Sequence, residues 1–359
     1  MTDPTPRVSV VMAAYNGARH LREAVESILG QSLTDLELIV VDDASTDATP
    51  QILSEYAAQD ARVSVLTNDG NQGPFVSGNR GLAVARAPLI ARMDADDISH
   101  PDRMLRQATF LEANPDHMLV GNSYRAIDDA GATRYLKVKP TDAYGVRWTM
   151  RFRCPIEHPG AMFRALFPDG TPVRYDESHP IAQDFELFVR LTAAGKAAIL
   201  PEVLFSYRTH PTNITSTRTA EQRRISYQIA QGVQAADLPP AFEGRLDGVL
   251  DCFLLGKPAK VETVQVGIRA FNEMLAYDLS QHPDRKRWLM RQSAAVLAEA
   301  FLRRGGGFRN GRVLAAFMGT GLRYLGPLLM RQLEETRWMP PALRSGADLP
   351  DAARAGGRP

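Results

Sequence analysis

Cysteine is nearly absent: among 359 residues only Cys154 and Cys252 occur. They stand about a hundred residues apart without a C-x-x-C or Cys/His spacing, which excludes a disulfide framework and a cysteine-based zinc site and suits a reducing compartment. Charge of one sign is lacking as well. The 42 Lys and Arg against 41 Asp and Glu leave a formal +1, so nothing pulls the chain toward nucleic acid, and the first half holds no local basic case for it. No stretch of about eighteen residues is both uncharged and strongly apolar, so no spanning helix is expected. The apolar run Val8 to Ala14, after a polar Met1 to Arg7, is too short for the core of an export leader, which predicts a cytoplasmic protein.

What is present is an ordinary globular composition, 44% hydrophobic and 23% charged, in a chain long enough for one large domain and a smaller appendage. Short apolar runs at Val8 to Ala13, Leu36 to Val41, Val63 to Leu66 and Leu89 to Met93 alternate with segments of helical periodicity at Arg19 to Leu29, after Ser45 to Pro50, and from about Phe75 to Arg86. Near-continuous apolar strands alternating with helices require a parallel sheet covered on both faces. Ligands of such sheets bind beyond the carboxyl ends of the strands. Those ends carry Tyr15-Asn16, Asp42-Asp43, Asn68 and Asp94-Ala95-Asp96, so polar and mostly acidic side chains collect at one edge.

Two acidic groups point to chemistry. Asp94-Ala95-Asp96-Asp97 follows a buried strand, and spacing of two on extended backbone sends Asp94 and Asp96 to one side. Paired hard oxygen donors suit Mg²⁺ or Mn²⁺ and leave positions for phosphate oxygens. The bland alternative is an acidic turn before the helix begun at His100-Pro101. Asp42-Asp43 can accept from a nucleoside, as acids at strand ends do in nucleotide folds; a helix N-terminus favouring acids explains Asp47 well and the two buried acids less well.

Val8 to Asn16, Asp42-Asp-Ala-Ser-Thr-Asp47 and Met93-Asp-Ala-Asp-Asp97 with Pro101-Asp-Arg103 resemble, in order and spacing, the family 2 glycosyltransferases of the GT-A fold. The resemblance continues through His158 to Phe163, Tyr175-Asp-Glu177, Gln183 to Leu191 and Leu204 to His210, covering roughly residues 7 to 216. It implies an α/β fold, a Rossmann-like mixed sheet with helices on both faces, followed by a helical C-terminal region. It also implies transfer, with inversion, from a nucleotide-diphospho-sugar to a hydroxyl of a saccharide or lipid-linked acceptor, in cell-surface or exopolysaccharide synthesis, using Mn²⁺ or Mg²⁺. Ala13, Tyr15 and Asp43 would line the nucleobase pocket, Asp94 would hold the ribose or help hold the metal, and Asp96 would be the principal metal ligand. His210 and Arg208 lie where relatives often contact the metal or pyrophosphate. Asp184 would be the catalytic base, a role that also follows from needing a carboxylate far in sequence from the metal aspartates; a plain helix cap is the alternative. Relatives usually carry Glu before this Asp, and here Gln183 stands there. Arg80 is a diphosphate contact or a solvated helix arginine, and His158 touches substrate or is structural.

The expected division is a catalytic domain over 7–216, a helical region over 217–340, and a disordered tail over 341–359. Arginines around Val313 to Met318 and Tyr324 to Met330 suit either a membrane surface or helices packed on the protein. Two rivals to the transferase reading stand beside it. A sugar nucleotidyltransferase would carry a Gly-rich basic loop after the first strand, which Ala13 to Gly17 lacks; a non-catalytic scaffold of the same fold is kept alive by Gln183.

Overall fold

The computed structural model describes residues 5–139, 142–178, 181–209, 219–251 and 261–302. They form two compact units, Met1–Ala236 and Asp237–Pro359.

The first unit is built on one sheet. Strands β1 (Val8–Ala14), β2 (Leu36–Asp42), β3 (Val63–Thr67) and β4 (Leu89–Asp94) lie in the order β3-β2-β1-β4 and are all parallel. β2 is buried at every position, as a strand covered on both faces must be. Register brings the strand ends level: Ala13 pairs with Asp94, Ala14 with Asp42, and Asp42 with Thr67.

Beyond β4 the sheet turns mixed. β8 (Met162–Arg164) runs antiparallel to β4 and to β6 (His117–Ile127); β9 (Lys196–Arg208) runs parallel to β6; and the short β5 (Ile98–Ser99) closes the edge against β9. β7 (Thr133–Lys137) forms a hairpin with β6 through a turn whose Gly131 has φ 86°, a left-handed conformation glycine adopts without penalty.

Alternation along the strands divides the core in two. Even-numbered positions of β1 and β2 pack with α1 (Leu21–Leu29), α2 (Thr49–Gln59) and α4 (Arg103–Ala113). The opposite face, with Val11 and Ile90, receives α3 (Pro74–Val84), α5 (Ala143–Met150), α6 (Gln183–Ala194) and α7 (Thr219–Asp237). α3 comes so close to β1 that a Cβ at Gly81 would stand 2.6 Å from Val11 Cγ1.

Helix α7 belongs to the first unit. Its Ile225 and Ile229 pack on Ile181 and Ala182 at the start of α6, and Gln234 donates to the Arg151 carbonyl at 2.8 Å. A stretch beyond residue 216 therefore shores the segment that presents Asp184.

The second unit is helical, with α8 (Asp247–Leu250), α9 (Val261–Gln281) and α10 (Lys286–Leu302) burying Ile268, Phe271, Met274, Leu289 and Val296. No helix among the described residues is long and apolar enough to cross a membrane. The arginine-rich segment after residue 302, the tail over 341–359, His210 and Cys252 lie outside the described residues.

Candidate active site

The site is assembled where the carboxyl ends of the parallel strands meet the mixed half of the sheet. At the end of β4, ligand oxygens of Asp94, Asp96 and Asp97 lie within 4.8 Å of one another. Asp97 is buried; its Oδ1 accepts the backbone N–H of Arg208 at 2.7 Å, and its Oδ2 has no hydrogen-bond partner. Three carboxylates converging with an orphaned oxygen are costly without a cation, and the set of hard oxygens fits Mg²⁺ or Mn²⁺. Burial, then repulsion from Asp96, pushes the Asp94 carboxyl up to about 7, and burial with Asp96 and Asp94 holds Asp97 well above the usual range. Asp97 is a third acid that the sequence reading had left unassigned.

Arg208 underpins this loop. Its guanidinium is buried and donates through Nε to the Asp96 carbonyl at 2.8 Å, through Nη1 to the carbonyls of Asp128 and Asp129, and through Nη2 to Glu23 at 2.6 Å. Arg208 thus binds protein on every nitrogen, which places it under the acidic loop. Arg103, fully buried on α4, does similar work from the other side by donating to the Arg92 carbonyl at 2.7 Å.

The nucleotide-side residues sort into exposed and internal ones. Tyr15, after β1, is 52% exposed and offers a free ring face beside half-buried Ala13, itself opposite Asp94. Asp43 is buried and tied inward: Oδ1 accepts from Asn68 at 2.6 Å and the Gln72 N–H at 2.9 Å, while Oδ2 accepts the Gly73 N–H at 2.8 Å. Asp43 thereby shapes the loop that leads into α3. Arg80 reaches back to the Thr67 carbonyl and Asn68 Oδ1, both at 2.6 Å, so it braces the same loop. Neighbouring Asn16 and Ala44 hold φ of 48° and 61°. Strained non-glycine residues of this kind persist where surrounding contacts over-determine the backbone.

On the α3–α6 face, a buried cluster lies beside Asp94, whose side chain stays 41% exposed. Arg92 Nε donates to His158 Nε2 at 3.2 Å, and Tyr175 contacts the same nitrogen at 2.7 Å. Because an arginine can only donate, Nε2 must accept, so the imidazole is neutral with its proton on Nδ1. Burial and the Arg92 charge hold the His158 pKa well below its ordinary value, in agreement. Nδ1 lies 4.0 Å from Asp94 Oδ1. His158 is therefore a positioned neighbour of Asp94, and Arg92 and Tyr175 are its partners.

Asp184 is the second residue of α6, two after Ala182, whose φ is 59°. Gln183 beside it is buried. Burial raises the Asp184 pKa, and Glu157 adds to it. Its negative charge in turn raises Asp94, Tyr175 and Cys154. The structure thus brings Ala13, Asp94, Asp96 and His158 to one region, with Asp184 near enough for its charge to act on Asp94, while Asp43, Arg80 and Arg208 hold the loops that bound it.

A family model described as Glycosyl transferase family 2 matches residues 9–169. An uncharacterized glycosyltransferase of Haemophilus influenzae is 31% identical over 233 residues, covering 62% of this chain and 72% of the relative. The succinoglycan biosynthesis protein ExoO of Rhizobium meliloti is 31% identical over 215 residues, 57% of this chain and 61% of its own. Among solved structures, S. aureus TarS 1–349 in complex with UDP-GlcNAc aligns with a TM-score of 0.55 at 18% identity, over 87% of this chain and 92% of that one. The mannosyltransferase PcManGT of Pyrobaculum calidifontis, in complex with GDP-Man and Mn²⁺, aligns with a TM-score of 0.52 at 18% identity, over 85% and 89%. At that identity both structures speak to the fold.

Proposed function

Because the chain belongs to glycosyl transferase family 2, we propose that it moves a sugar from a nucleotide-diphospho-sugar to a hydroxyl of a saccharide or lipid-linked acceptor, with inversion at C1. The observation that carries this reading is the convergence of Asp94, Asp96 and Asp97 within 4.8 Å at the end of β4, with Asp184 near enough for its charge to act on Asp94. A single displacement needs a base carboxylate apart from the metal-holding ones, and Asp184 on α6 is such a candidate.

In that displacement Asp184 takes the proton of the acceptor hydroxyl, the oxygen forms its bond to C1 from the side opposite the diphosphate, and the C1–O bond breaks with its electron pair leaving on the diphosphate. A raised pKa makes Asp184 a stronger base than an exposed carboxylate. Attack by the acceptor itself, without a covalent enzyme intermediate, inverts C1.

Asp96 would hold a divalent ion together with Asp94 and Asp97, and such an ion supplies charge neutralisation to the departing diphosphate. The donor set and the orphaned Asp97 oxygen support it, as does the Mn²⁺ named with PcManGT. Tyr15 stacks on the nucleobase over Ala13. Asp43 acts on the nucleobase pocket through the loop it organises. His210 remains a candidate metal contact from the sequence.

The catalytic part spans residues 7–216 with α7 as its buttress, and synthesis of a surface or secreted polysaccharide is the role suggested by the succinoglycan relative. The decisive experiment measures release of nucleoside diphosphate from UDP- and GDP-sugars with Mn²⁺ or Mg²⁺, for wild type and Asp96→Ala. Metal-dependent release abolished by the substitution supports the reading. Absence of metal-dependent nucleotide binding in wild type would favour a scaffold of the same fold.

A further inference from the structure

Around Glu157, the chain neighbour of His158, lies a face whose charge the transfer chemistry leaves unused. In the β6–β7 hairpin Tyr124 pairs with Lys137 and Ala126 with Tyr135, so Tyr124, Tyr135 and Lys137 share one side of the ribbon. Tyr135 is 51% exposed. Lys137 Nζ stands 5.5 Å from the Tyr124 ring centroid and 3.5 Å from Glu157 Oε1. Lys139 Nζ stands 2.9 Å from the same oxygen and donates to the Pro155 carbonyl at 3.2 Å, while the Lys139 backbone is held to Ser123 Oγ at 3.1 Å.

Two ammonium groups thus converge on one carboxylate oxygen, leaving a positive charge in excess. Their side chains keep only 41% and 20% of their surface, so the excess is partly desolvated. Burial first, then the Lys139 and Arg153 charges, lower the Lys137 pKa against the pull of Glu157, as desolvation and neighbouring like charge do. Glu157, the shared partner, is also close enough to act on Asp184. An exposed aromatic ring beside surplus cations is what a sugar ring bearing an acid would meet: an apolar ring face for stacking, and charge-assisted donors for the anion.

We propose that this face is the acceptor subsite and that it takes a saccharide carrying an anionic group, a carboxylate or a phosphate, with the sugar ring on Tyr135 and the anion between Lys137 and Lys139. The inference rests on Asp184 being the base that the acceptor must reach.

The test titrates the full chain with methyl β-glucuronide, methyl β-glucoside 6-phosphate and neutral methyl β-glucoside at low ionic strength, followed by saturation-transfer NMR. At least one charged ligand binds about tenfold more tightly than the neutral one, and the stronger of the two identifies the acid. In Lys137→Met/Lys139→Met the preference disappears, and the half-exposed single change Lys137→Glu, with its fold checked by circular dichroism, repeats the loss. Equal binding of all three ligands to wild type, or a preference that survives both variants, overturns the inference. The transferase reading is tested apart from it by nucleoside diphosphate binding with Mn²⁺: failure there, with the acid preference intact, sinks that reading and leaves the anion site standing.

Discussion

Arg208 and Asp97 are joined at 2.7 Å, backbone N–H to carboxylate, and the same arginine grips the Asp96 carbonyl from below at 2.8 Å. The end of β9 therefore sets the height and direction of the acidic loop that follows β4. A carboxylate cluster repels itself, and without such a clamp the loop would relax outward.

Replacing Arg208 with Lys keeps a charge but not the fork that reaches Asp96, Asp129 and Glu23 at once. We expect a loss of about 2–4 kcal/mol in urea denaturation, since buried charge-assisted hydrogen bonds are broken. Mn²⁺ affinity measured by calorimetry falls with it. An unchanged denaturation midpoint would show the clamp to be idle.

Asp184→Asn removes the proton acceptor while keeping shape. Turnover of a nucleotide-sugar with its acceptor drops about 10²–10⁴-fold, and donor binding, followed by nucleotide fluorescence displacement, stays near wild type. A matching loss of donor affinity would mean that Asp184 holds the donor instead.

The pH dependence of stability carries a signature of Asp94. In the fold its carboxyl keeps a proton up to about 7, whereas the unfolded chain releases it near about 4. Over that interval the folded state binds more protons, so stability falls as pH rises. Asp97 and Asp184, both raised, act in the same direction. His158, held low, acts in the opposite one, gaining stability as pH rises toward 6.5. Asp94→Asn removes the first contribution, so without metal its melting temperature declines less than that of wild type between about pH 5 and 7.5. Parallel melting curves of the two proteins across that range would refute the assignment.

Tyr175→Phe deletes the hydroxyl at 2.7 Å from His158 Nε2 and keeps the ring that packs on Phe75 at 5.3 Å. The expected cost is about 1 kcal/mol, one buried hydrogen bond, read from chemical denaturation. A loss of several kcal/mol would show that the hydroxyl anchors more than the imidazole.

Gly81→Ala forces a methyl against Val11, at 2.6 Å in the unrelaxed geometry. Overpacking of this kind costs about 1–3 kcal/mol. Paired with Val11→Ala, which opens the space, the penalty shrinks; additive losses in the double variant would locate the strain elsewhere.

How much could be read in advance follows from where each signal resides. β1 to β4 were legible because each strand is a near-continuous apolar run with its own turn and helix signals, and parallel alignment brings Ala13 level with Asp94. The order of β8, β6 and β9 was not legible, since β4 pairs with β8 and β6 with β9 across long loops, and pairing between distant segments leaves no local period. That Asp43, Arg80 and Arg208 also brace the surrounding loops was not legible, because a charged residue has the same local pattern whether or not its polar atoms meet distant backbone.

The amino-acid order by itself determined which secondary structures form and that acids gather beyond the carboxyl ends of the parallel strands, because period and strand direction are properties of short segments. Tertiary structure alone decided that Asp97 joins the cluster, that Arg208 clamps it, and that Arg92 and Tyr175 set the state of His158. Each of those depends on atoms from distant segments meeting within a few ångströms, and packing, not local preference, sets such distances.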